Sequence, residues 1–86
     1  MNKKSLKQLL RQGKVEATWN HKDGERQVTK YFTLKEDFVP EKEHRNLKFP
    51  PELTPQHVGA WLYEKNEWGA IPINRLVSAT LVTEDG

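Results

Sequence analysis

From Lys14 to Asn20 the side chains alternate strictly: Val15, Ala17 and Trp19 are apolar, while Glu16, Thr18 and Asn20 are polar. This is the pattern of a strand with one face in a core and one in water. Asp23-Gly24 follows, and alternation resumes from about Arg26 to Leu34, with Val28, Phe32 and Leu34 on one face and Thr29, Tyr31 and Thr33 on the other. An Asp-Gly pair between two such segments predicts a tight hairpin whose central residues both take positive φ. A helix cannot satisfy a period of two, so this stretch commits the chain to antiparallel sheet. Lys30 interrupts the apolar face of the second strand and predicts an edge position or a bulge there.

The remaining segments extend that sheet. Val58 to Glu64 reads as a third strand that is apolar on both faces, and Lys65-Asn66-Glu67 as a tight connection to a fourth strand over Trp68 to Ile73. Asn74-Arg75 is a short turn before a fifth strand, Leu76 to Val82, rich in β-branched residues. Pro72 lacks a ladder donor, which predicts an edge strand or a strand end. Ahead of the first strand, Ser5 and Gln8 have capping-box spacing, Leu6, Leu9 and Leu10 share a face, and Gly13 stands where a left-handed residue ends a helix. A short helix over 5–12 follows. Residues 35–57 carry Pro40, Pro50, Pro51 and Pro55 among charges with no sustained period, and predict one long loop. A helical turn near Lys35 to Val39 is expected within it, with Phe38, Leu47, Phe49 and Leu53 as anchors. The expected fold is all-β in class: a single domain over 1–86, five antiparallel strands in a small, partly open barrel, with a short N-terminal helix.

Composition narrows the function classes. The 86 residues contain no cysteine, which excludes a disulfide framework and thiolate zinc sites. His21, His44 and His57 lack the spacing of metal motifs, and no metal or cofactor is expected. No apolar run approaches the ~20 residues of a membrane span, and the start of the chain stops short of a secretory segment, so a soluble cytoplasmic protein without membrane contact is expected. Glu36, Asp37, Glu41 and Glu43 lie in the loop without an accompanying nucleophile, no phosphate-cradling glycine loop is present, and no catalytic residues are expected. Lys3, Lys4, Lys7, Arg11 and Lys14 give the first fourteen residues a charge of +5, leaving −3 on the rest of the chain.

Two groups of residues invite a binding role. Lys4, Lys7, Arg11 and Lys14 are spaced to share a helix face opposite the leucines, where they could contact phosphates; the plainer reading is the solvated side of an amphipathic helix. Tyr31, Trp61, Tyr63 and Trp68 could display rings that stack on bases or anchor a protein, the plainer reading being that Trp68 and Trp19 fill the core.

The stretches Leu-Leu-Arg-Gln-Gly-Lys-Val-Glu (9–16), Lys-Asp-Gly-Glu-Arg (22–26), Thr-Leu (33–34), Ala-Trp-Leu-Tyr-Glu-Lys-Asn-Glu-Trp (60–68) and Asn-Arg-Leu-Val-Ser (74–78) together resemble a family of small bacteriophage proteins. That family is described as having an Sm-like SH3 β-barrel fold and is named by loose analogy with the WYL domain. The resemblance implies phage origin, a bacterial host cell and the SH3/Sm-like fold. After Trp68 this chain reads Gly69-Ala70-Ile71-Pro72 where the family pattern is often basic, so Arg75 carries the nearest positive charge. The leading functional expectation is a non-enzymatic interaction module that binds and modulates a host or phage protein. A nucleic-acid-binding barrel is the alternative, and sequestration of a small nucleotide, with Arg75 or a lysine on phosphate and a ring on the base, is a third. Edge strands leave a homo-oligomer open.

Overall fold

The computed structural model describes residues 2–47 and 55–82. β1 (Val15–Asn20) pairs antiparallel with β2 (Gln27–Thr33), and Val15, Ala17 and Trp19 are buried as their alternation requires. β3 (His57–Leu62), β4 (Glu67–Pro72) and β5 (Leu76–Leu81) complete one five-stranded antiparallel sheet in the order β4-β3-β2-β1-β5. The fold is mainly β, as expected. The sheet curls like a barrel without closing, so β4 and β5 are its two edges.

The hairpin keeps the expected register but changes its turn. His21 N–H donates to Arg26 C=O at 2.7 Å and Gly24 N–H to His21 C=O at 2.9 Å, which makes a four-residue connection. Only Gly24 has positive φ, 75°, and Asp23 does not. Asp23 acts instead through its carboxylate, which accepts from the N–H groups of Glu25 and Arg26 at 2.9 and 3.2 Å and holds the loop. Those donors favour the ionised form, so the Asp23 carboxyl titrates below its ordinary range, the Glu25 N–H being the largest cause.

Two corrections concern the helix. α1 spans Lys3–Leu10, two residues earlier than expected, because Asn2 is the cap: its side-chain oxygen accepts from Ser5 N–H at 2.8 Å. Ser5 is therefore inside the first turn. At the other end the helix closes at Arg11, and Gly13, with φ 159°, is nearly extended and not a left-handed cap. Leu6 and Leu10 are fully buried where α1 packs against β3 and β5.

β2 explains Lys30. The strand is central in the sheet, yet it pairs with β3 only through Phe32 and Thr33, opposite Leu62 and Trp61. Its first half, Gln27 to Lys30, has β1 on one side and no described strand on the other. Lys30 thus lies on a local edge inside a central strand. The bulge falls elsewhere, between β1 and β5: Thr18 faces Ser78 but Trp19 faces Leu76, so Val77 is the extra residue and is 51% exposed. This shift lets Leu76, Ala79 and Leu81 all reach the core.

β4 is an edge strand that ends on Pro72, satisfying both readings of that proline. Between β4 and β5, Ile73–Arg75 form a 3₁₀ turn. Among the described residues of the long loop are two 3₁₀ turns, Glu36–Phe38 and Glu41–Asn46, of which only the first was expected. Among those residues Val39 is buried, Leu47 packs on the core, and Phe38 is 42% exposed, contrary to its expected anchoring role. Phe49 and Leu53 lie outside the described residues.

The core gathers Leu6, Leu10, Val15, Trp19, Phe32, Val58, Leu62 and Ile71. Thr33 is buried beside it. Its hydroxyl donates to Gly13 C=O at 2.7 Å and accepts from Lys35 N–H at 3.0 Å, while Leu34 N–H donates to Leu10 C=O at 2.9 Å. These bonds tie the end of α1 to the end of β2. Leu10→Ala is expected to cost about 2–5 kcal/mol in urea unfolding, because a fully buried leucine at this junction leaves a cavity. A loss below about 0.5 kcal/mol, the size of a surface substitution, would show that α1 is not part of the core.

Candidate functional site on the outer face of the sheet

Register divides the sheet into a core face and an outer face. Thr80, Glu16, Tyr31 and Tyr63 fall in one row across the outer face: Glu16 faces both Thr80 and Tyr31, and Tyr63 N–H donates to Tyr31 C=O at 3.1 Å. Lys14, two residues before Glu16, shares that face. Its ammonium lies 4.9 Å from the centroid of the Tyr31 ring and 5.0 Å from that of Tyr63. Tyr31 Oη donates to Glu16 Oε2 at 3.0 Å. That bond, then the charge of Glu16, some burial and the charge of Glu64, raise the Tyr31 phenol above its ordinary range. Lys14, Glu16, Tyr31 and Tyr63 are half-buried, so the cluster is open to water.

The tryptophans form a separate and covered group. Trp61 faces Trp68 across β3 and β4, with ring centroids 5.5 Å apart in a T-shaped contact. Trp61 is only 4% exposed. Trp68 is half-buried, and its Nε1–H donates to Glu43 Oε2 at 2.9 Å; Asn46 Nδ2 donates to the same oxygen at 3.0 Å. The second 3₁₀ turn is thereby fastened to β4. Two donors on one carboxylate hold the Glu43 pKa below its ordinary range, with Trp68 the largest cause. Within that segment His44 Nε2 bonds to Val39 C=O at 2.8 Å, closing the turn on the residues before it. Trp19 is a core residue, tilted against Phe32 with centroids 6.0 Å apart.

The expected sets therefore separate. Tyr31 and Tyr63 come together, but Trp61 and Trp68 are not displayed beside them as one platform. Lys4 and Lys7 lie on α1 and Arg11 at its end, whereas Lys14 lies beyond the helix and turns to the tyrosines, so the four do not share one helix face. Arg75 reaches Asn20 C=O at 3.5 Å, at the end of β1 remote from Glu16, and is not assembled with any of the expected rings. Among the described residues no three potential metal ligands converge. No helix among them is long and apolar enough to cross a membrane.

Sequence reasoning missed Glu16, Glu43 and Glu64 as site residues. Glu16 had a signal, since any loop centred on Asp23-Gly24 places it opposite Tyr31. Glu43 had none, being 25 residues from Trp68. Comparisons with known protein families, with curated proteins and with solved structures found no match.

Two titrations check this geometry. Absorbance at 295 nm is expected to show Tyr31, assigned with Tyr31→Phe, ionising above the ordinary phenol range, and Glu16→Gln is expected to lower it; unchanged titration would contradict the Tyr31–Glu16 bond. Because the Glu43 pKa is depressed in the fold, its bond to Trp68 stabilises at neutral pH and is lost as pH falls through that lowered value. Acrylamide quenching of indole fluorescence is expected to rise at acid pH before global unfolding, and Glu43→Ala is expected to show the same rise at neutral pH.

Proposed function

We propose that this chain is a non-enzymatic interaction module, encoded by a phage and acting in the cytoplasm of its host, that binds a host or viral protein by accepting an extended segment along the outer edge of β5. The observation that supports this reading is the chemistry of that edge. Natural edge strands are blunted by charge, proline, bulge or cover. β5, Leu-Val-Ser-Ala-Thr-Leu, has no charge and no proline, and its one bulge is at Val77, leaving Ser78 to Leu81 regular. Among the described residues β5 pairs only with β1.

Register shows which groups are on offer. Val82 N–H donates to Lys14 C=O at 2.8 Å, so the N–H groups of Thr80 and Ser78 also point towards β1. Those of Ala79 and Leu81 point out of the sheet. A strand added there would take its affinity from main-chain hydrogen bonds and its selectivity from side chains meeting Val77, Ser78 and Thr80. The resemblance to small phage proteins supports the viral setting.

Ala79→Pro removes an outward donor and leaves the β1 ladder intact. Affinity capture from nuclease-treated host lysate is expected to retain a discrete protein that withstands high salt with the wild-type chain, and to lose it with Ala79→Pro at unchanged circular dichroism. Retention that disappears with nuclease or with salt would support the nucleic-acid reading through Lys4, Lys7 and Arg11 and overturn this one. Concentration-dependent dimers or rings, abolished by Ala79→Pro, would make the added strand a second copy of the chain.

A further inference from the structure

The tyrosine cluster carries an inference that does not depend on strand addition at β5. We infer that Tyr31 and Tyr63, with Glu16, form a receptor for an organic ammonium group, and that Lys14 is its resident, displaceable occupant. Two ring centroids lie within 5.0 Å of one ammonium nitrogen, inside the ~6 Å over which an aromatic face attracts a cation. Tyr31 lies on β2 and Tyr63 directly follows β3, and the bond from Tyr63 N–H to Tyr31 C=O brings the two residues side by side through the backbone. Glu16 anchors the Tyr31 hydroxyl at 3.0 Å and so fixes that ring.

Electrostatics chooses the sign of the ligand. Without Lys14 the charge fixed beside the rings is negative, because Glu16 stands 3.0 Å from the Tyr31 hydroxyl. A phosphate would meet that carboxylate. A cation would meet it together with two ring faces.

Displacement is favoured by chemistry and place. Lys14 is half-buried at the junction of α1 and β1, on a flexible stem whose ammonium is readily solvated when it swings out. A quaternary ammonium is more weakly hydrated than a lysine ammonium and gives up less water on entering between the rings. Lys14 thus keeps the site filled until a better cation arrives. It lowers the apparent affinity for any external cation by the fraction of time the rings are unoccupied. The ligand could be a free ammonium compound or a methylated lysine on a protein, and the shared group is the same.

Ring resonances of Tyr31 and Tyr63 in NMR spectra report on this directly. The probes are choline, its uncharged isostere 3,3-dimethylbutan-1-ol, and a glycine-flanked trimethyllysine peptide. Choline is expected to shift both rings saturably in the wild-type chain, and to bind about tenfold tighter to Lys14→Met, from which the competitor has been removed. The neutral isostere is expected to leave the rings unmoved, and Tyr31→Leu to abolish the response. A peptide that binds tighter than choline identifies a protein ligand, and equal affinity identifies the free ammonium compound. Should Lys14→Met fail to fold, the wild-type Lys14 Hε resonances serve instead: they start upfield under the two ring currents and move to free values as choline is added. Absence of saturable shifts, or equal shifts with the neutral isostere, overturns the inference.

Discussion

Phe32 sits where the sheet converges, and burial of its ring is the contact on which the remaining architecture depends. It faces Val15 on β1 and Leu62 on β3, leans on Trp19, and is fully enclosed at 1% exposure. Its far edge explains a glycine. A Cβ on Gly69 would lie 3.1 Å from Phe32 Cε2, so the ring would have to give by a few tenths of an ångström. The bare backbone at residue 69 thus lets β4 lie close over the ring without displacing it. Loosening this contact would free β2 from β3, where only Phe32 and Thr33 form strand pairs.

That narrow β2–β3 junction also shapes the outer face. Thr33 and Trp61 are opposite each other there and both are buried, Thr33 by the end of α1 and its bonds to Gly13 and Lys35. One step along the strands, Tyr31 and Tyr63 escape that cover and remain half-exposed. The outer-face aromatic residues thus divide into a tryptophan pair, fastened at Trp68 by Glu43, and a tyrosine pair left open to water. The same side-chain class is covered in one row and left accessible in the next.

Legibility in the sequence followed the range of the interaction. The β1–β2 register was readable because a loop centred on Asp23-Gly24 sets it whether that loop has two residues or four, and so the Glu16–Tyr31 pairing was implicit. The helix limits were not: Asn2 and Ser5 both suit a cap, and which one acts depends on where α1 must end to bury Leu6 and Leu10. The charged stripe failed for the same reason. Periodicity can place Lys14 on a helix face, but it cannot reveal that the helix has stopped and that two rings from β2 and the end of β3 lie within reach.

What the amino-acid order determined alone was the alternation that makes strands, the place of the β1–β2 hairpin and the leucine face of a short helix, because these depend on neighbours within a few residues. Tertiary structure decided that Val77 is squeezed out as a bulge, that Trp61 is covered while Tyr63 is not, and that Glu43 finds an indole 25 residues away. Each of those outcomes depends on how the sheet curls and what packs across it. Curl arises from the whole set of strands at once, so no local stretch of sequence contains it.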